Sequence, residues 1–226
     1  MNKDEVRARV LAIGIIPVVR ASSSQEVKFA AEALAAGGIP VLEVTSTVPG
    51  GIDILRDSVE TLPRVLVGAG NVMGEENARR CFDAGAEFLV TPGLDLKTVD
   101  YAVRENKFVI TGALTPTEVI AAWQAGSDFV KVFPCAQVGG PQYIRALLGP
   151  FPEIPLVPTG GVNLRTAGEF ITAGAAALGV GNELVQRPAL KSRAHEVIRD
   201  TARRFVKVVQ EARSWAVPGE LTAFRG

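Results

Sequence analysis

The chain has 226 residues, 47% of them hydrophobic, enough to bury one large core, and no compositional break divides it, so one domain over residues 1–226 is expected. Lysine plus arginine equal aspartate plus glutamate at 24 each, which gives nucleic acid or an anionic membrane no basic face to bind and leaves a small molecule as the expected partner. No apolar stretch approaches the roughly 20 residues of a membrane span, and Met1-Asn2-Lys3-Asp4-Glu5 is charged and helical rather than an apolar leader, so a cytoplasmic protein is expected.

Residues 2–12 carry a helical pattern, and Ile15–Arg20 reads as the first strand. Ser22, Ser23 or Ser24 caps a helix that runs to Ala36 and stops at Gly37-Gly38, before a second strand, Val41–Thr45. Further strands are predicted at Val65–Gly70, Phe88–Pro92, Phe108–Gly112, Phe129–Pro134, Pro155–Gly160 and Ala177–Gly181. Helices at 52–61, 74–84, 95–105, 115–125, 140–149 and 163–173 alternate with them, and three stop at Ala-Gly pairs ending in Gly85, Gly126 and Gly174. A long helix over 188–214 closes the series, and residues 216–226, with Pro218 and Gly219, are expected to be loosely held. This alternation predicts an α/β protein, a (β/α)8 TIM barrel with an N-terminal helix and a long C-terminal helix. An open doubly wound sheet would place a Gly-rich turn after its first strand, where this chain reads Arg20-Ala21-Ser22.

Cys81 falls late in a helix and Cys135 just past a strand, at opposite ends of such a barrel, so both are expected as free thiols. His195 is the only histidine, which leaves almost no material for a His-based metal site or a Ser-His-Asp triad. The unusual group is Lys131, set between Val130 and Val132 in an apolar strand. A bare ammonium in such a wall either binds an anion or is pushed toward its neutral, nucleophilic form. A structural Lys–carboxylate pair is the bland alternative.

Catalytic groups of such barrels sit at the C-terminal ends of strands, and residues two apart on a strand share a face. Strand two therefore offers Glu43 and Thr45, strand one Arg20, strand six Lys131 and Phe133, and strand seven Thr159. Glu43 could instead be a core acid, and Arg20 could simply pair with it. The ends of strands seven and eight, Pro158-Thr159-Gly160-Gly161 and Gly179-Val180-Gly181-Asn182, suit a phosphate, because backbone amides at glycines approach an anion closely. Tight turns alone would also account for these glycines. Gly68-Ala69-Gly70 is not a dinucleotide fingerprint, since Met73 occupies the third glycine position.

Leu42-Glu43-Val44-Thr45, Gly68-Ala69-Gly70, Thr91-Pro92-Gly93, Lys131-Val132-Phe133-Pro134, Gly139-Gly140-Pro141-Gln142-Tyr143-Ile144 and Pro158-Thr159-Gly160-Gly161-Val162 together resemble the 2-keto-3-deoxy-6-phosphogluconate (KDPG) and 4-hydroxy-2-oxoglutarate (KHG) aldolases, over about residues 8–212. The resemblance implies a homotrimeric class I aldolase without metal or other cofactor, acting on a phosphorylated keto acid. It implies a Schiff base at Lys131 and proton transfer through Glu43 and a water. It places Arg20, Thr45, Asn71, Pro92, Phe133 and Thr159 around the substrate and Gly160, Gly161, Gly181 and Asn182 around its phosphate. This chain departs from the commonest pattern at Thr47, where many members have a carboxylate-binding arginine, and Arg20 is the available replacement. It departs again at Asn71, where threonine is usual, and at Asn182, where serine is usual. A 6-phospho-2-dehydro-3-deoxygalactonate aldolase, a phosphosugar isomerase or epimerase using Glu43 as base, and a non-catalytic scaffold are the alternatives.

Overall fold

The computed structural model describes residues 1–215, and the tail expected at 216–226 lies outside the described residues. Eight parallel strands form one sheet in the order β7-β6-β5-β4-β3-β2-β1-β8. They are β1 (Ile15–Val19), β2 (Val41–Thr45), β3 (Leu66–Gly70), β4 (Phe88–Val90), β5 (Phe108–Ala113), β6 (Phe129–Val132), β7 (Leu156–Pro158) and β8 (Leu178–Val180). A parallel bridge between Thr159 and Gly179 joins β7 to β8, so the sheet closes into the expected (β/α)8 barrel.

The N-terminal helix α1 (Lys3–Ile13) starts in a capping box, with Asn2 accepting from the Glu5 N–H, and ends at Gly14 in the left-handed conformation. Between strands run α2 (Ser24–Ala36), α3 (Gly51–Thr61), α4 (Glu75–Asp83), α5 (Leu96–Arg104), α6 (Pro116–Gln124), α7 (Pro141–Leu148) and α8 (Ala167–Thr172). Of the three candidate serines, Ser23 caps α2. Helix α8 starts later than expected because Asn163 Oδ1 accepts from the Arg165 and Thr166 N–H groups and holds a turn there.

The long closing helix is a correction. It is two helices, α9 (Arg187–Lys191) and α10 (His195–Trp215), separated by a turn in which Arg193 has φ 52. Several strands are also shorter than expected. Arg20 lies past the end of β1, Pro92 past β4, Phe133 and Pro134 past β6, Thr159 and Gly160 past β7, and Gly181 past β8. All of them therefore belong to the loops at the C-terminal mouth.

Alternation along the strands divides the core. Ile15, Leu42, Val67, Leu89, Val109, Val130, Leu156 and Leu178 face outward into the layer shared with the helices. Ile16, Val41, Leu66, Phe88, Phe108, Phe129, Val157 and Ala177 face inward, and Val6 and Val10 of α1 join them to plug the N-terminal end. Asp128 locks the plug by pairing with Lys3 (3.2 Å) and Arg7 (2.9 Å) while accepting from the Val109 N–H (2.9 Å).

Candidate active site

The inward-facing positions change character along the barrel axis. The plugged end is filled by Phe88, Phe108 and Phe129, whereas one step toward the mouth the same face carries Gly68, Gly70, Gly112 and Gly179. A side chain could not replace the hydrogen at these positions. A Cβ on Gly68 would overlap the Phe88 ring, one on Gly70 the Glu43 carboxyl, one on Gly112 the backbone of Pro92 and Gly93, and one on Gly179 the Thr159 side chain. Glycine thus makes room inside the barrel for a ring of functional side chains.

Lys131 enters this space from β6, in register with Gly112 on one side and Val157 on the other. It is 5% exposed, and its Nζ lies 5.3 Å from the centroid of the Phe133 ring. Glu43 enters from β2, in register with Val18 and Gly68, and is 2% exposed. Burial pushes the Glu43 carboxyl above the ordinary glutamate range, and the nearby charges of Lys131 and Arg20 pull it back. No salt bridge among the described residues includes Arg20, Glu43 or Lys131, so neither bland ion pair is formed.

Three buried polar atoms have no hydrogen-bond partner among the described residues: Glu43 Oε1, Thr45 Oγ1 and Thr159 Oγ1. Buried polar groups are almost always satisfied, and one left free costs about 1–3 kcal/mol. Their concentration at one barrel mouth marks a place built to receive hydrogen-bonding groups from outside the chain.

A cavity of about 170 Å³ opens there, and Arg20, Asn71, Lys131, Phe133, Thr159, Gly160, Gly161, Gly181 and Asn182 all line it. Glu43 and Thr45 lie beneath it rather than on its wall, and Pro92 packs over Gly112 instead of lining it. Asn71 takes the left-handed conformation at φ 57, which asparagine tolerates better than most residues. The loop after β6 is laced to the loop after β7 through the Cys135 N–H to the Thr159 carbonyl (2.9 Å) and the Ala136 N–H to the Gly160 carbonyl (3.2 Å). The Tyr143 hydroxyl donates to the Leu114 carbonyl (2.5 Å) and anchors α7 beside them.

Val18, Val162, Gly179 and Glu183 also line the cavity; the sequence named Gly179 in the glycine run offered for phosphate and Val162 only within the resemblance motif, and sequence reasoning missed Val18 and Glu183. Nothing in the sequence singled out Glu183. A larger hollow of about 470 Å³ lies next door, sharing Asn71 and bounded by Thr47, Arg56 and Arg80. It contains no lysine and none of the three unpartnered atoms, so size alone does not identify the site.

A parallel (β/α)8 barrel with a buried lysine and a buried carboxylate at its C-terminal mouth has the architecture of a barrel enzyme that handles carbonyl substrates through an amine. The family model for KDPG and KHG aldolases matches residues 6–201, and the chain belongs to that family, a family of carbon–carbon lyases. The 2-dehydro-3-deoxy-phosphogluconate aldolase of Pseudomonas aeruginosa is 33% identical over 157 residues, 70% of this chain and 71% of the relative. The KHG/KDPG aldolase of Escherichia coli is 29% identical over 193 residues, 85% of this chain and 91% of the relative. The crystal structure of KDPG aldolase from Legionella pneumophila, with pyruvate captured at low pH as a covalent carbinolamine intermediate, superimposes with a TM-score of 0.82 at 31% identity, covering 87% of this chain and 96% of that one. No helix among the described residues is long and apolar enough to cross a membrane.

Proposed function

We propose that this aldolase cleaves 2-keto-3-deoxy-6-phosphogluconate to pyruvate and glyceraldehyde 3-phosphate through a Schiff base on Lys131, and that it also accepts 4-hydroxy-2-oxoglutarate. The observation that carries the reading is the placement of Lys131, buried at the barrel mouth beside a buried carboxylate with a free oxygen. The covalent pyruvate carbinolamine of the Legionella enzyme supports it.

In this scheme the neutral Lys131 amine attacks the substrate C2 carbonyl and forms a carbinolamine. Glu43, through a water, gives the departing hydroxyl its proton, and loss of water leaves a protonated imine. The imine withdraws electrons from the C3–C4 bond, Glu43 takes the proton of the C4 hydroxyl, and the bond breaks to release the aldehyde and leave an enamine. Protonation at C3 and hydrolysis release pyruvate and restore the amine. The imine is the electron sink, so the scheme calls for no metal. Arg20 holds the substrate carboxylate, while Thr45, Asn71, Pro92, Phe133 and Thr159 surround the chain. The amides of Gly160, Gly161, Gly181 and Asn182 receive the phosphate. The proposal includes a homotrimer acting in the cytoplasm.

The test is incubation with pyruvate and borohydride followed by peptide mapping. Reduced pyruvate should be found on Lys131, and Lys131→Met should lose the adduct and many orders of magnitude of turnover while remaining folded. No adduct in folded parent protein would return the site to the isomerase or epimerase reading. Parallel assays on the phosphogluconate and phosphogalactonate substrates assign the preferred configuration at C4.

A further inference from the structure

The far end of the cavity is lined by an acidic residue, Glu183, where the proposed phosphate would sit. Past β8, hydrogen bonds from the Leu184 and Val185 N–H groups to the Gly181 carbonyl (3.0 and 3.1 Å) fold the chain into a tight turn. Asn182 and Glu183 form the corner of that turn, both exposed and both lining the cavity that holds Lys131. Across the cavity lie Gly160 and Gly161, both at positive φ (88 and 79), backbone conformations that glycine adopts most readily. The backbone amides of Gly160, Gly161, Asn182 and Glu183 donate no hydrogen bond among the described residues, so the end of the cavity is lined with free donors.

The charges do not match that donor set for a dianion. Glu183 makes no hydrogen bond and no salt bridge among the described residues, and the cations lining the cavity are Arg20 and Lys131. Both are assigned above to the keto-acid end of the substrate. A phosphate held by the free amides would therefore sit beside an uncompensated carboxylate. A terminal hydroxyl there would accept from an amide and donate to Glu183, satisfying both kinds of group at once.

We infer that Glu183 sets the charge preference of the distal end, weakening selection for the phosphorylated substrate and extending the reaction to unphosphorylated 2-oxo-3-deoxy-aldonates that end in a hydroxyl. The inference rests on the phosphate-end reading of the Gly160, Gly161 and Asn182 turns.

The experiment compares kcat/KM for 2-keto-3-deoxy-6-phosphogluconate and for its unphosphorylated counterpart in the parent, Glu183→Gln and Gly161→Ala enzymes. A like charge about 6 Å away at an effective dielectric constant of roughly 40 weakens binding by about tenfold. Glu183→Gln should accordingly raise the phosphorylated-to-unphosphorylated ratio by about tenfold or more. Gly161→Ala forces a methyl against Ala136 in a left-handed residue and should lower the same ratio. A lowered ratio in Gly161→Ala with a parental ratio in Glu183→Gln overturns the role of Glu183 and keeps the phosphate end. A parental ratio in both variants overturns both. An equal change on the two substrates in Glu183→Gln also overturns the inference, since it would mean that Glu183 acts on the shared keto-acid end, through Arg20 just past the neighbouring strand β1.

Discussion

Glu43 lies directly over Gly70: the two strands pair Thr45 with Gly70, and a methyl group on Gly70 would overlap Glu43 Oε1. The glycine therefore fixes where the carboxyl can stand. Gly70→Ala should push the carboxyl out of place and cut turnover toward the level of Glu43→Gln, a loss on the order of 10²- to 10⁴-fold. Steady-state kcat measures it. Full turnover in Gly70→Ala would show that proton transfer does not need Glu43 in this position.

The same carboxyl carries a pH signature. Burial raises its proton affinity in the folded chain, with Lys131 and Arg20 opposing the shift. A raised folded value means that this site adds stability below the unfolded value of about 4.3 and that the contribution is lost as the pH rises through the folded value. Glu43→Gln has nothing to titrate there. Its melting temperature relative to the parent should therefore climb as the pH is raised through that window, while turnover stays low at every pH. A falling difference would mean that the two cations outweigh burial and hold Glu43 ionised.

The barrel was legible because eight apolar runs alternate with helical patterns, and an open doubly wound sheet would normally place a Gly-rich turn after its first strand, where this chain has Arg20-Ala21-Ser22. The site was legible because a lysine and a glutamate inside apolar strands are costly to bury unless they bind or react with something. Strand ends were not. Phe133 and Thr159 continue the apolar or β-prone composition of their strands and still donate to the neighbouring strand, Phe133 N–H to the Ala113 carbonyl (3.1 Å) and Thr159 N–H to the Val132 carbonyl (2.9 Å), so regular pairing fades around them and composition alone does not register where it stops. The break between α9 and α10 was hidden for a related reason. The apolar spacing from Ala189 and Leu190 to Ile198, Ala202 and Phe205 runs on without a proline or glycine, and the left-handed residue is an arginine. Asp128 was read only as the start of a strand, since its partners Lys3 and Arg7 are more than a hundred residues away and come together only when α1 plugs the barrel.

Both thiols should be inert in the folded protein. Burial pushes the Cys81 thiol up to about 11 and the Cys135 thiol up to about 12, so almost no thiolate exists near neutral pH. Iodoacetamide at pH 8 should label neither residue in native protein and both in guanidinium, as read by intact mass. Labelling of Cys135 alone without unfolding would show that the loop after β6 opens in solution.

Asp128 offers a stability test remote from the mouth. Asp128→Ala leaves the Val109 N–H and the Arg7 guanidinium without their buried partner beneath the barrel. The expected cost is about 2–4 kcal/mol in denaturant midpoint experiments. Aldolase kcat/KM of the folded fraction should stay close to the parent value, because the plug and the mouth are at opposite ends of the strands. A stability loss near zero would mean that Lys3 and Arg7 find water as easily as they find Asp128.

Arg20 is the proposed partner of the keto-acid carboxylate. Thr47 stands where the resemblance leads one to expect a carboxylate-binding arginine, and it lines the neighbouring hollow instead of the cavity around Lys131. Arg20 lines that cavity, is exposed one residue past β1, and forms no ion pair with Glu43 among the described residues, so its guanidinium is free to grip a carboxylate by two parallel hydrogen bonds. Lysine keeps the charge and loses the fork. Arg20→Lys should raise KM for keto acids by about tenfold or more, with little change in kcat or in melting temperature. If Arg20 served mainly to hold Glu43 ionised, the same substitution would instead lower kcat and shift its pH profile. A crystal soaked with pyruvate decides between them directly: a carboxylate bound only by backbone amides and Thr159 would remove Arg20 from the keto-acid site.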